Sequence, residues 1–187
     1  TWAYCPRQCS FCKVPKQNNP KEHKSIWSFH NPKFKKICLL NNNTFSDPYW
    51  VDTFEEIWDA DLTVVDENGY DLRLMDEPRA RALKKTKFQG MIHFAWDNYE
   101  FKTYEKLKRY RSKFEFSGRN MRVYVLVNFD TTHEQDLERI YKLKELDYDP
   151  YVMIFDKKNA PRQTKRVQRW VNNKFIWRTC ETFDQYK

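Results

Sequence analysis

Glycine is nearly missing from this chain: three residues in 187, alongside eight prolines. No Gly/Ser-rich or Pro-rich stretch marks a flexible linker or a low-complexity segment. The length suits one unit with a sizeable core rather than modules on a tether. No run approaches the roughly 18 apolar residues that span a bilayer, and no signal-peptide pattern is present. The expectation is a soluble, cytoplasmic protein with no membrane partner. An initiator methionine is lacking too. The chain opens at Thr1, four residues before its first cysteine, and reads as trimmed at its start. Cysteine is scarce and badly distributed for disulfides: of five, three crowd into the eight residues from Cys5 to Cys12, while Cys38 and Cys180 stand alone. Secreted frameworks spread their cysteines between loops, so a tight cluster reads as metal or redox chemistry in a reducing compartment.

What is present is aromatic and basic. Aromatics make up 17% and apolar residues 40% of the chain, enough for a packed interior. Lysine and arginine number 34 against 26 acidic residues, a net charge of +8. A basic balance can signal nucleic acid or another polyanion. Here the charge is spread over Lys33–Lys36, Lys106–Arg111 and Lys157–Arg169. Solvated helix faces and loops are therefore the preferred reading.

Along the chain, short apolar runs alternate with amphipathic stretches. Strands are expected at 37–40, 62–65, 91–96, 121–129 and 150–155. Helices are expected at 48–59, with Trp50, Val51, Phe54, Ile57 and Trp58 on one face, and at 77–85, with Pro78 near its start. Further helices are expected at 101–113, 132–146 and 162–172. Thr132 and Gln135 form a capping-box pattern. Repeated strand–helix alternation argues for a parallel sheet with right-handed crossovers, its strands buried on both faces. A further strand is expected to end at or just before Thr1. Polar residues follow each strand, at the carboxyl edge where parallel architectures build their sites. The alternation alone does not separate a partial barrel from a doubly wound sheet.

Cys5-Pro-Arg-Gln-Cys9-Ser-Phe-Cys12 has the spacing C-x3-C-x2-C. Thiolates are the usual ligands of iron–sulfur clusters. Three on one loop can hold three irons of a cubane and leave the fourth open. Structural zinc wants four ligands and paired C-x2-C units; His23 or His30 could supply a fourth, though neither sits at a zinc spacing. A closed electron-transfer cluster would need Cys38, which lies inside an apolar strand. The open-site cluster is preferred over both.

This loop, with Phe11 before its last cysteine and Lys13-Val14-Pro15-Lys16 after it, resembles the signature of the radical S-adenosylmethionine (radical SAM) superfamily. The resemblance extends over about residues 1–155, whose strand–helix units resemble that superfamily's partial parallel (β/α)6 barrel, here lacking its extreme N-terminal segment. It implies a core barrel over 1–158 and a basic, aromatic helical extension over 159–187 packed on it. It further implies a [4Fe-4S] cluster on Cys5, Cys9 and Cys12, whose open iron chelates the amino and carboxylate groups of SAM. An electron donor such as flavodoxin or ferredoxin would reduce the cluster. SAM is then cleaved to methionine and a 5′-deoxyadenosyl radical that abstracts hydrogen from a substrate the sequence does not name. The alternative is a non-enzymatic iron–sulfur or zinc-binding module, with nucleic acid as a possible associate.

The resemblance also marks SAM contacts. Phe11 would shield the cluster and touch adenine. Where the superfamily has a Gly-Gly-Glu-like turn for the SAM amino group, this chain has Asn41-Asn42-Asn43, so Asn42 or Asn43 would accept those hydrogen bonds. Asp97 and Asn98, after the fourth barrel strand, match the ribose-binding position, with helix capping as the competing role. After the third come Glu67-Asn68-Gly69 and then Arg73, which would pair with the SAM carboxylate or else bridge Asp71 or Asp76. Asn128 stands where the superfamily commonly has glycine beside adenine. In the tail, Arg162, Lys165, Arg166 and Arg169 could touch nucleic acid; the preferred reading has Val167, Trp170 and Val171 closing a barrel edge while the cations face water. Trp27, Trp50 and Trp58 are expected to pack in the core or at its rim.

Overall fold

The computed structural model describes residues 1–17, 19–66, 68–113 and 120–186. Glu67, named above in the turn after the second strand, lies outside them. The chain runs β1 (Lys36–Leu39), α1 (Trp50–Asp59), β2 (Thr63–Asp66), α2 (Glu77–Lys85), β3 (Lys87–Phe88), β4 (Ile92–Ala95), α3 (Phe101–Arg111), β5 (Met121–Val127), α4 (His133–Glu145), β6 (Asp149–Ile154), α5 (Arg162–Asn172) and α6 (Lys174–Thr179). Helix starts follow local chemistry. The Asp76 side chain accepts from the Arg79 backbone at the head of α2, and Thr132 and Gln135 form the expected capping box on α4. Asn173 caps α6 by accepting from the backbones of Phe175 and Ile176.

All strand pairing is parallel: β1-β2-β3 form one sheet and β4-β5-β6 another. One further parallel bridge, Tyr70 to Phe94, joins the segment after β2 to β4, with the Tyr70 amide donating to the His93 carbonyl at 2.7 Å. Gly69 permits this approach, since a Cβ there would stand 3.3 Å from the Phe94 carbonyl carbon. Gly90, at φ +91°, makes the break between β3 and β4. The chain is thus a parallel α/β fold. Among the described residues no pairing joins β6 back to β1.

The main core lies between the second sheet and its helices. Ile92 and Phe94 of β4, Val123 and Val125 of β5 and Val152 of β6 meet Leu107 of α3, Ile140 and Leu143 of α4, and Val167 and Trp170 of α5, all buried. A second cluster, Ile26, Ile37, Leu39, Ile57, Leu62 and Val64, packs α1 on β1 and β2. The expectation of strands buried on both faces does not hold. β5 alternates fully buried with half-buried residues, and Arg122, Tyr124 and Leu126 point away from the helices. On β1, Cys38 is exposed between buried Ile37 and Leu39. Helices cover only one face here; the other looks into an open groove, which polar and aromatic side chains tolerate. Val51, placed on the apolar face of α1, is 40% exposed, as is Trp27 at 49%, while Trp50 and Trp58 pack at the core edge. No helix among the described residues is long and apolar enough to cross a membrane.

Candidate active site

One cavity sits at the carboxyl edge of the strands, and nine of the residues singled out in the sequence line it: Cys5, Cys9, Phe11, Cys12, Asn42, Asn43, Arg73, Asp97 and Asn98; Asn41, Asn68 and Asn128 do not. The nine come from four stretches of chain separated by tens of residues, so the fold, not sequence proximity, assembles them.

The cysteine loop is anchored from below by Trp2. Its buried indole donates to Ser46 Oγ at 3.0 Å, its amide donates to Asn41 Oδ1 at 2.9 Å, and its carbonyl accepts from the Asn42 amide at 3.3 Å. The loop then turns on a Cys12 amide to Cys9 carbonyl bond of 3.0 Å. The thiols of Cys5, Cys9 and Cys12 are all free and half-buried. Phe11 packs edge-on against Phe129 at 5.5 Å, and Phe129 against Phe155 at 4.8 Å, which ties the loop to the ends of β5 and β6. Asn128, just before Phe129, adopts φ +63° and donates to the Phe155 carbonyl at 2.9 Å. Asparagine tolerates this left-handed conformation better than other non-glycine residues, so it does there what glycine would do.

The three asparagines after β1 divide their work. Asn41 is buried and clamps the chain at Thr1 and Trp2. Asn42 gives its amide N–H to the Ala3 carbonyl. Asn43 is buried and donates to Asp71 Oδ2 at 3.1 Å, with Cys5 Sγ at 3.6 Å. Because a carboxylate only accepts, that bond fixes which end of the amide is nitrogen. The Asn43 Oδ1 acceptor is then left buried with no hydrogen-bond partner, a costly state that a donor in the cavity would relieve.

Asp71 is the hub. Its carboxylate accepts from Arg7 Nε at 3.1 Å and, in a fork, from Arg73 Nε at 2.8 Å and Nη2 at 3.2 Å, besides Asn43. Burial pushes its pKa up, but the bonds and charge from Arg73 and Arg7 outweigh that and hold it below the ordinary carboxylate range. Of the roles open to Arg73, the pairing with Asp71 is the one found; Asp76 instead pairs with Arg79. The Arg73 guanidinium also reaches the Cys9 thiol, and its pKa is raised: burial lowers it, and Asp71 and then Cys9 more than restore it. From α3, Lys106 Nζ donates to the Arg73 carbonyl at 2.8 Å and braces this turn.

Asp97 is the opposite case. Burial pushes its pKa up to about 6 against the pull of Arg73 and Arg139, with Asp71 adding to the rise. Neither Asp97 nor Asn98 caps α3, whose N-cap is Glu100 without a side-chain bond; Asn98 Nδ2 lies 3.5 Å from Glu100 Oε1. Behind them, fully buried Arg139 of α4 donates to the Trp96 and Asp97 carbonyls at 2.6 and 2.9 Å and to the Leu126 carbonyl at 2.6 Å, lashing the ends of β4 and β5 together.

Sequence reasoning missed Arg7 and the central place of Asp71. Arg7 lies inside the cysteine loop and Asp71 two residues before Arg73, so both spacings were visible, but their meeting is tertiary. His23 bonds Asp47 at 2.7 Å and His30 the Phe34 carbonyl at 3.1 Å; neither lines the cavity. Among the described residues, no three His, Cys, Asp or Glu side chains are gathered closely enough to surround one metal ion. A cubane makes a different demand, since each thiolate binds its own iron.

Neither a protein-family model, nor a curated protein, nor a solved structure matches this chain. The site itself therefore carries the functional argument.

Proposed function

We propose that the chain is the core of a radical SAM enzyme, with its parallel strands and helices as a partial (β/α)6 barrel. One observation carries the reading. Three free thiols on one loop share a cavity with Asn43, whose buried side-chain oxygen has no partner, and with polar residues from the other strand ends. The donor set suits both groups. Cys5, Cys9 and Cys12 would hold three irons of a [4Fe-4S] cluster, and Asn43 Oδ1 would accept from the SAM amino group. When bound and reduced, the cluster supplies an electron that cleaves SAM to methionine and a 5′-deoxyadenosyl radical.

The protein's own residues would do the rest by placement. Arg73 keeps one edge of its fork on Asp71 and offers remaining N–H groups to the SAM carboxylate. Asp97, with a pKa near 6, carries or releases a proton on its carboxyl close to neutral pH and would accept from or donate to the ribose, beside Asn98. Phe11, fixed by Phe129, would cover the cluster from water. Asn42, already bound to Ala3, makes the lesser contact.

The test is anaerobic reconstitution followed by SAM and dithionite or reduced flavodoxin. About four irons and four sulfides per chain and release of 5′-deoxyadenosine support the proposal. Asn43→Ala should keep the iron and weaken SAM binding by about 10- to 100-fold, the worth of one hydrogen bond to a charged group. Stoichiometric zinc without deoxyadenosine would mean a structural metal module instead.

A further inference from the structure

The strand-distal face of α5 carries Arg162, Lys165, Arg166 and Arg169, one or two cations per helical turn, while Val167, Trp170 and Val171 are buried beneath. Both sequence readings of this tail rest on such a face. What separates them is how the charge is answered. Several cations elsewhere meet carboxylates: Arg73 on Asp71, Arg109 on Glu77, Arg111 on Asp147, Arg122 on Asp149, Arg139 on Asp136. Single exposed lysines such as Lys35, Lys102 and Lys108 do not, but they are not gathered on one helix face. Among the described residues no carboxylate pairs with any of the four cations on α5. Asp184, the acid bordering the groove, forms no ion pair with them.

The face is also shaped. A groove runs along α5, bounded by Arg162, Arg166 and Arg169 on one side and by Tyr186 on the other. Arg166 is held in place: it donates to the Tyr186 carbonyl at 2.5 Å and lies over the Phe183 and Tyr186 rings at 5.6 Å each. Lys165 reaches back to the Lys158 carbonyl at 3.2 Å, drawing in the exposed Lys157-Lys158 pair. The cations recur at about 5.4 Å per turn over about 10 Å of helix. A repeated, open stripe of this kind meets a repeated anion better than a single small one. The half-buried Tyr186 ring at its edge offers a stacking surface for a base.

We infer that this face of α5 binds the phosphate backbone of a nucleic acid. It begins where β6 ends, and Phe155 at that end is linked through Phe129 to Phe11 of the cysteine loop. A strand lying along α5 therefore runs toward the cavity side of the molecule. The inference rests on α5 and its groove alone and stands whether or not the cavity holds a cluster.

The full chain is titrated into fluorescently labelled single-stranded DNA, RNA and duplex DNA at several salt concentrations, with anionic vesicles and heparin in parallel. With three phosphate contacts, affinity should fall by about 20- to 40-fold between 50 and 200 mM salt. Replacing Arg162, Lys165 and Arg169 together by glutamine should abolish most of that salt dependence and weaken low-salt binding by at least about 20-fold. Replacing three exposed cations elsewhere, Lys35, Lys102 and Lys108, makes the same change in net charge and should alter affinity by less than about threefold. All three α5 residues are exposed, so both variants should melt with the parent chain. The inference is overturned if the two variants weaken binding equally, if the α5 variant binds like the parent, or if vesicles or heparin bind while oligonucleotides do not.

Discussion

Asp71→Asn keeps the shape of the hub and removes its charge. The Asp71 side chain is 8% exposed, whereas Arg7 and Arg73 are 33% and 40% exposed. Removing one partner of a buried ion pair costs about 3–5 kcal/mol, and an exposed pair is worth about 0–1 kcal/mol. A buried carboxylate with two guanidiniums open to water falls between, at about 2 kcal/mol. For a chain of this size that lowers the melting temperature by about 4–8 °C. The pH dependence follows from the direction of the shift. Asp71 has a folded pKa below its unfolded value of about 3.9. Its contribution is fully present above that value and is lost as pH falls through the folded one. Parent and variant should therefore differ at pH 7 and converge in strong acid. Thermal melts followed by circular dichroism from neutral to low pH read both effects. A difference below about 1 °C at pH 7, or one undiminished in acid, refutes the claim that a charged Asp71 organises Arg7, Arg73 and Asn43.

Asp97→Asn should behave in the opposite sense. The folded pKa of Asp97, about 6, is raised above the unfolded value, so its stabilising effect is complete in acid and is lost as pH rises through 6. The variant should be more stable than the parent at pH 8, by about 3 kcal/mol, and equal to it below about pH 4; equal melting temperatures at pH 8 would remove the basis for assigning Asp97 a proton near neutrality. Arg139→Met leaves the carbonyls of Trp96, Asp97 and Leu126 and the Asp136 carboxylate without their donor. It should cost about 3–5 kcal/mol in urea unfolding, and a loss below about 1 kcal/mol would mean that Arg139 does not hold the ends of β4 and β5.

The main elements were legible because burial enforces periodicity. Pro78 near its start marked α2, the apolar Val167, Trp170 and Val171 marked α5, both at their observed bounds, and Val-Tyr-Val-Leu-Val marked β5. β3 was not legible: two residues form a strand only because β2 offers them partners, and no pattern in Lys87-Phe88 announces that. α6 is too short for a periodic signal, and its one local cue was the Asn173 cap. In the site, Cys5, Cys9 and Cys12 are neighbours in the chain and declared themselves by spacing. The Arg7–Asp71 bond spans 64 residues, and no local rule predicts which of several acids an arginine will meet. For the same reason Arg73 could be paired from sequence with Asp71, Asp76 or a ligand, and only the fold chose among them. The half-open faces of β5 and β6 were misread because apolar composition reports burial on average, not on which side helices pack.

The asparagine turn is where charge balance decides the chemistry. An acid at the position of Asn43 would set a second carboxylate about 3 Å from Asp71, and two such groups cannot both ionise at that separation. Asparagine avoids the conflict. Its N–H₂ end donates to Asp71 at 3.1 Å, and its oxygen is left buried without a partner. The negative charge behind the turn is that of Asp71, which Arg73 and Arg7 keep ionised. A cationic ammonium bound at Asn43 Oδ1 would meet a neutral acceptor polarised by the carboxylate behind it. Asn43→Asp would place a proton between two carboxyl groups and weaken the hold of Asp71 on Arg7 and Arg73.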